Sequence, residues 1–223
     1  MNRKYLLIGL VVAAAIALGV IAYLYVFSGG SETTIPADAN KGGIVLTERD
    51  RDQGSMSAPI LMVEYAAPTC PICAAFDTEI FPKLKQKYID TGKVHYVFRV
   101  YPLSSVDVAA EGMARCLPKQ NYFSFIDMLY RNQEKWDPDG HQIADVHGAL
   151  VAMGAQAGMS AQQVDACISD PAVQAQTTKI GQEAETKYGV TGTPSFIVNG
   201  QMRVGVGSWE DWQTFLDGML AKK

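Results

Sequence analysis

Residues 59–73 read PILMVEYAAPTCPIC, and the fold turns on how that stretch is parsed. Residues 59–66 form an almost unbroken apolar run bounded by prolines, the pattern of a parallel strand buried on both faces. Residues 67–69 turn the chain. Pro71 suits the first position of a helix, where its missing N–H is no loss. A helix is therefore expected from about Cys70 to Tyr88, kinked or interrupted at Pro82. Next, residues 94–101 (VHYVFRVY) are rich in β-branched and aromatic side chains and read as a second strand. Strand, helix and strand in close succession make a βαβ unit, so the sheet contains a parallel pair.

Beyond this unit, helical spacing takes over. Val106, Ala110, Met113 and Leu117 form one apolar stripe, Tyr122, Ile126 and Leu129 a second, and Ile143, Val146, Leu150 and Met153 a third. Ser160 with Gln163 is a capping box that opens a helix containing Cys167. Asp170-Pro171 starts another, with Val173, Ile180, Ala184 and Tyr188 on one side and Gly189 placed to cap its end. Ser195–Val198 and Gln201–Val204 flank Asn199-Gly200, a strong hairpin signal. Ser208 with Asp211 opens a last helix that buries Trp212, Phe215, Leu216 and Met219. The expected architecture is α/β: a small mixed sheet flanked by helices, with an all-helical insertion at about residues 104–169.

Upstream lies a different composition. Residues 5–27 carry no charge and are long enough to cross a hydrocarbon core of about 30 Å as a helix. Arg3 and Lys4 precede them and the first charges that follow are Glu32 and Asp38, so the remainder is expected across the membrane. The competing reading is a cleaved signal peptide, whose apolar region is usually shorter and ends in a small-x-small site that is missing here. Either way the body reaches an oxidising space. Residues 28–58, rich in Gly, Ser, Thr, Asp and Glu, read as a tether ending in one short strand at residues 44–47. The domain proper is expected over residues 59–223. Nineteen basic and 23 acidic residues make a poor nucleic-acid binder, because neutralising phosphates needs clustered Lys and Arg.

The chemistry concentrates at Cys70 and Cys73. Residues three apart at a helix start share a face and can meet disulfide geometry. First-turn N–H groups and the helix dipole favour a thiolate at Cys70, which should be the exposed nucleophile, with Cys73 as its buried resolving partner. An inert disulfide gains little from so short a loop. Half a zinc site would need a second ligand pair, and neither Cys116, Cys167 nor the three histidines supply one at short spacing. Glu64 stands in the apolar run six residues before Cys70. It either marks a solvated strand end or is a buried acid that exchanges a proton with Cys73. Pro194, in Gly192-Thr193-Pro194-Ser195, is either an ordinary strand-start proline or the second residue of a cis bond.

Taken together, the strand with Glu64, the CPIC motif, the βαβ unit, the helical insertion and the TGTPSF stretch before a hairpin resemble thioredoxin-fold proteins. Over residues 56–223 the pattern is similar to the DsbA family of exported bacterial thiol–disulfide oxidoreductases. The resemblance implies a dithiol oxidase with Cys70 as attacked and attacking sulfur, Cys73 as its partner, Glu64 as the buried acid and a cis Pro194. Thr193 would present backbone to a substrate strand. It implies cysteine-containing exported substrate proteins, a monomer without a cofactor, and reoxidation by a quinone-linked, DsbB-like membrane partner. Together with the charge bias of the N-terminal segment, it puts the catalytic domain on the periplasmic or extracytoplasmic side of the inner (cytoplasmic) membrane. Ile72 stands where strong oxidases of the family carry His, and Thr69 where reductases and thioredoxins carry Trp. Reductase or isomerase action on the same fold, or a non-catalytic membrane-anchored folding or interaction module, are the rival readings. Some family members carry a second, non-catalytic disulfide in the helical domain. Here Cys116 and Cys167 would form it, the alternative being two buried thiols.

Overall fold

The computed structural model describes residues 43–222. The expected membrane span at residues 5–27 and most of the expected tether lie outside them. Among the described residues, no helix is long and apolar enough to cross a membrane.

Five strands form one mixed sheet: β1 (Arg51–Gln53), β2 (Ile60–Ala66), β3 (Val94–Val100), β4 (Ser195–Val198) and β5 (Gln201–Val204), in the order β1-β3-β2-β4-β5. The β2–β3 pair is parallel, with Met62 opposite Tyr96 and Glu64 opposite Phe98. The other pairs are antiparallel. The helix between β2 and β3, α1 (residues 71–89), is not uniform. Two of its turns are widened, and Phe81 N–H reaches back five residues to the Phe76 carbonyl. Pro82 follows the first widened turn. A proline ring would crowd the carbonyl four residues earlier in a regular helix, and the wider turn moves that carbonyl aside.

The insertion comprises α2 (Ser105–Cys116), α3 (Tyr122–Tyr130), α4 (Gln133–Trp136), α5 (Val146–Gln156) and α6 (Ala161–Ile168). After it come α7 (Pro171–Tyr188) and α8 (Trp209–Ala221). The capping boxes at Ser160 and Ser208 are formed, and Gly189 ends α7 at φ 70°. The third stripe begins later than its spacing predicts. Asp145 accepts the Gly148 N–H and starts α5 at Val146, which leaves Ile143 outside the helix. On α7 the buried residues are Thr177, Gly181 and Ala184, with Val173, Ile180 and Tyr188 only half-buried.

The sheet separates two cores. On one face Ile60, Met62, Tyr96, Phe98, Phe196 and Val198 pack against α1, the insertion and α8. On the other, Leu61, Val63, Tyr65, Val97 and Ile197 pack against Ala184 of α7 and against Ile44 and Leu46. The last two residues correct the expected tether, because residues 44–58 belong to the domain. They also correct the expected strand: residues 44–47 are not a strand, and the pairing segment is β1, seven residues later. The Val45 carbonyl is satisfied by the Arg99 guanidinium at 2.8 Å instead of by a neighbouring strand. Arg99 in turn makes a two-pronged bond to Asp50, at 2.8 and 2.9 Å.

Cys116, at the end of α2, is bonded to Cys167 of α6, with Cα atoms 6.0 Å apart. The two helices approach closely here: a Cβ at Gly112 would lie 2.6 Å from the Cys167 carbonyl oxygen.

Candidate active site

Cys70 sits between the end of β2 and the first turn of α1. Its backbone is extended (φ −75°, ψ 116°), and its sulfur accepts the Cys73 N–H at 3.3 Å. Cys70 Sγ also lies 3.6 Å from the Thr193 carbonyl oxygen. The two sulfurs are not bonded to each other in this structure. The Cys70 thiol is held down to about 6, first because the Cys73 thiol donates to the thiolate, then through the side chain of Thr193 and the N–H groups of Cys73 and Ile72, against the cost of burial. Cys73 goes the other way: burial, and then the neighbouring Cys70, push its thiol far above the ordinary range. One expectation needs correcting. Cys70 is only 5% exposed, and the residue that projects from the motif is Ile72, at 53%. A sulfur at the N-cap folds back over the first-turn N–H groups, so the contact that stabilises the thiolate also covers it.

Glu64 is 2% exposed, which removes the solvated-strand-end reading. The register puts it on the α1 side of the sheet, where the Tyr96 hydroxyl donates to its Oε2 at 2.6 Å. Burial raises its carboxyl to about 8; the Tyr96 bond opposes this, and the charges of Asp77 and Cys70 add to it. Asp77, one turn beyond Cys73, is raised to about 7 by burial and by Asp127 of α3. The Tyr130 hydroxyl is buried nearby without a hydrogen-bond partner among the described residues.

The Thr193–Pro194 bond is cis. Ser195 Oγ donates to the Gly192 carbonyl at 2.7 Å and Gly205 N–H to the Pro194 carbonyl at 2.9 Å, fixing this loop to the β4–β5 hairpin. The structure thus brings Cys70, Cys73 and Thr193 into contact and places Glu64 within electrostatic reach of Cys73, with Pro194 next in the chain after Thr193. Cys116 and Cys167 are held in the insertion as a bonded pair.

A family model described as thioredoxin matches residues 46–218. The chain belongs to the thioredoxin family. Among its relatives is a Rickettsia bellii protein, provisionally named protein-disulfide oxidoreductase, that is 36% identical over 70% of this chain and 59% of its own length. The chain spans between 56% and 62% of the length of the five rickettsial relatives of this kind. A Bacillus cereus protein with the provisional name disulfide bond formation protein D is 27% identical over 90% of this chain and 91% of its own. The crystal structure of Wolbachia pipientis α-DsbA1 superposes with a TM-score of 0.71 at 28% identity, covering 78% of this chain and 92% of that one. This thioredoxin-family chain therefore has DsbA-type proteins among its structural neighbours, and protein-disulfide oxidoreductases among its named relatives.

Three polar side chains of this site carry no mark in the motif itself. Asp107 Oδ1 accepts the Thr69 N–H at 2.8 Å; its only local signature is the Ser104-x-x-Asp107 capping box. Tyr96 is one aromatic in an aromatic strand. Gln133 touches the motif from 63 residues downstream, with no local signal at all.

The Glu64 carboxyl has a direct consequence for stability. Its folded value of about 8 lies above the ordinary 4.5, so between these pH values the folded state holds a proton that the unfolded state has lost. Stability attributable to Glu64 therefore falls as pH rises through that window. Glu64→Gln keeps the shape and the acceptor for Tyr96 and removes the ionisation. The variant is expected to gain stability over wild type as pH rises from 4.5 to 8, because it has no buried carboxyl to lose a proton there, while Asp77 titrates in both proteins and cancels. Urea denaturation at the two pH values checks this, and a difference that does not grow with pH would contradict the buried, neutral Glu64.

Proposed function

We propose that the chain is a protein thiol–disulfide oxidase acting on pairs of cysteines in exported substrate proteins through Cys70 and Cys73. The observation that carries the reading is the asymmetry of the two sulfurs. Cys70 accepts the Cys73 N–H and is held down to about 6, while Cys73 is buried and protonated. A stabilised thiolate is a good leaving group, so the disulfide form of such a pair is readily attacked and tends to oxidise others.

In the forward cycle a substrate thiolate attacks Cys70 Sγ of the Cys70–Cys73 bond. A substrate–Cys70 disulfide forms and the electron pair goes to Cys73 sulfur, which takes the proton of Glu64. The second substrate thiolate then attacks the substrate sulfur of the mixed disulfide, and Cys70 departs as thiolate. The substrate gains a disulfide and the pair gains two electrons. Thr193, whose carbonyl faces Cys70 Sγ, and Pro194 line the approach to the reacting sulfur. Reoxidation requires an electron acceptor, for which we propose a DsbB-like, quinone-linked membrane protein. An anchor at residues 5–27 with the catalytic domain on the periplasmic side fits this reading.

A reductase or isomerase direction remains the second reading, because Ile72 puts no positive charge beside the thiolate. Equilibration of the full-length protein with glutathione buffers separates the two. An oxidase is expected between about −180 and −120 mV, and a value near about −270 mV, where thioredoxin lies, would overturn the oxidase reading.

A further inference from the structure

Two buried side chains of the insertion close on the backbone that leads into α1. Asp107 of α2 accepts the Thr69 N–H at 2.8 Å through Oδ1, and the Leu103 and Ser104 N–H groups at 2.9 Å each through Oδ2. Gln133 of α4 donates from Nε2 to the Pro68 carbonyl at 2.8 Å and to the Cys70 carbonyl at 3.1 Å. A carboxamide nitrogen has two hydrogens, and here each goes to a different carbonyl. The Cys70 carbonyl also takes the Ala74 N–H at 3.1 Å, the first bond of α1, so Gln133 occupies its second lone pair.

These bonds hold three successive peptide planes. Pro68 C=O and Thr69 N–H belong to one plane, which is gripped on both edges by Gln133 and Asp107. The next carries the Cys70 N–H, bonded to the Ala67 carbonyl at 3.0 Å. The third carries the Cys70 C=O, held by Gln133. With the planes on both sides of its Cα held, the direction of the Cys70 Cα–Cβ bond is set, and with it the reach of the sulfur toward the Cys73 N–H.

We propose that Gln133 is a positioning residue for the dithiol, fixing the Cys70 backbone so that the Cys73 N–H stays aimed at Cys70 Sγ. On this view the insertion is a splint for the reactive turn as well as a cover for one face of the sheet. The proposal rests on the oxidoreductase reading above. It is distinguished from a merely adhesive role, in which Gln133 binds the insertion to the sheet and alters only stability.

The test uses the full-length chain with Gln133→Met, which keeps the side-chain length and lacks the donors, and Gln133→Asn, which keeps the amide on a shorter stem. Iodoacetamide alkylation of Cys70 is followed by mass spectrometry as a function of pH, with Cys70→Ser as blank, beside thermal unfolding. Losing a net hydrogen bond to the positioned turn is expected to raise the midpoint in Gln133→Met by about half a pH unit to one pH unit. Alkylation below the midpoint then slows about 3- to 10-fold, with Gln133→Asn in between. A Gln133→Met midpoint equal to wild type, with only the melting temperature lowered, overturns the positioning role. Should Gln133→Met not fold, an unmoved midpoint in Gln133→Asn overturns it equally. A wild-type midpoint in the ordinary thiol range would sink the functional reading itself, whereas a low wild-type midpoint with unmoved variants sinks only the role of Gln133.

Discussion

Cys73→Ala is expected to turn the protein into a trap that holds mixed disulfides on Cys70. The variant loses the Cys73 thiol, the strongest of the influences that hold Cys70 down, but Thr193 and the N–H groups at positions 72 and 73 remain and still favour a Cys70 thiolate. That thiolate attacks oxidised glutathione or a disulfide of a substrate protein: a Cys70–sulfur bond forms and the other sulfur leaves as thiolate. In the wild type the adduct is short-lived, because Cys73 lies one helical turn away and its N–H already contacts Cys70 sulfur. Intramolecular attack by Cys73 releases the bound thiolate and closes the Cys70–Cys73 bond. Without the second sulfur, only thiols from solution can resolve the adduct, and they must reach a sulfur whose residue is 5% exposed. The advantage of a positioned intramolecular nucleophile makes an adduct lifetime at least about 10²-fold longer a conservative expectation. Turnover in dithiol oxidation should fall to background. Non-reducing electrophoresis and mass spectrometry of the full-length variant with oxidised glutathione give the measurement. An adduct on any other cysteine, or one as short-lived in the variant as in wild type, would contradict the assignment of nucleophile and resolving sulfur. Cys70→Ser should form none.

What could be read from the chain before its fold was local chemistry, and what could not was long-range pairing. Asn199-Gly200 announces the hairpin because both residues take positive φ, 47° and 85°, which few other pairs tolerate. CPIC at a strand-to-helix junction announces its own geometry, since Pro71 suits the first turn of a helix and two cysteines three apart then share one face. Glu64 is conspicuous as a charge in an apolar run, and burial is what makes such a charge informative. Arg99 carries the same signal in β3, but its partner lies in residues 44–58, whose polar composition reads as linker. Composition misled there because only Ile44 and Leu46 are needed to seal the second core, and two apolar residues in a polar stretch leave no periodicity. Gln133 was silent for a related reason. Its meaning lies in two carbonyls more than 60 residues away, and a glutamine in a four-residue helix is otherwise unremarked.

The second large effect is expected far from the sulfurs, at Asp50. Its carboxylate accepts Arg99 Nε and Nη2 at 2.8 and 2.9 Å, and the Thr47 N–H at 2.8 Å. Arg99 also donates to the Tyr65 hydroxyl at 3.0 Å and to the Val45 carbonyl at 2.8 Å. Burial works against the guanidinium charge, and the bonds and field of Asp50 outweigh it, so Arg99 stays charged above its ordinary value. Asp50→Ala strands that charge in the core, which typically costs about 3–5 kcal/mol, a large share of the 5–15 kcal/mol that holds a domain folded. At about 2–4 °C per kcal/mol for a domain of this size, even 3 kcal/mol lowers Tm by roughly 6–12 °C. The pair itself is worth much less than the breaking of it, because two charges were desolvated to form it. Adding Arg99→Met to Asp50→Ala should therefore recover a substantial part of the loss, and thermal unfolding of wild type, both single variants and the double variant measures the coupling. If Asp50→Ala melted within a degree or two of wild type, residues 44–50 would not be clamped to the sheet by this pair, and their place in the domain would need another cause. If instead the losses of the single variants simply added, Arg99 and Asp50 would be stabilising independently, and the tie between the segment before β1 and the second core would rest on Ile44 and Leu46 alone.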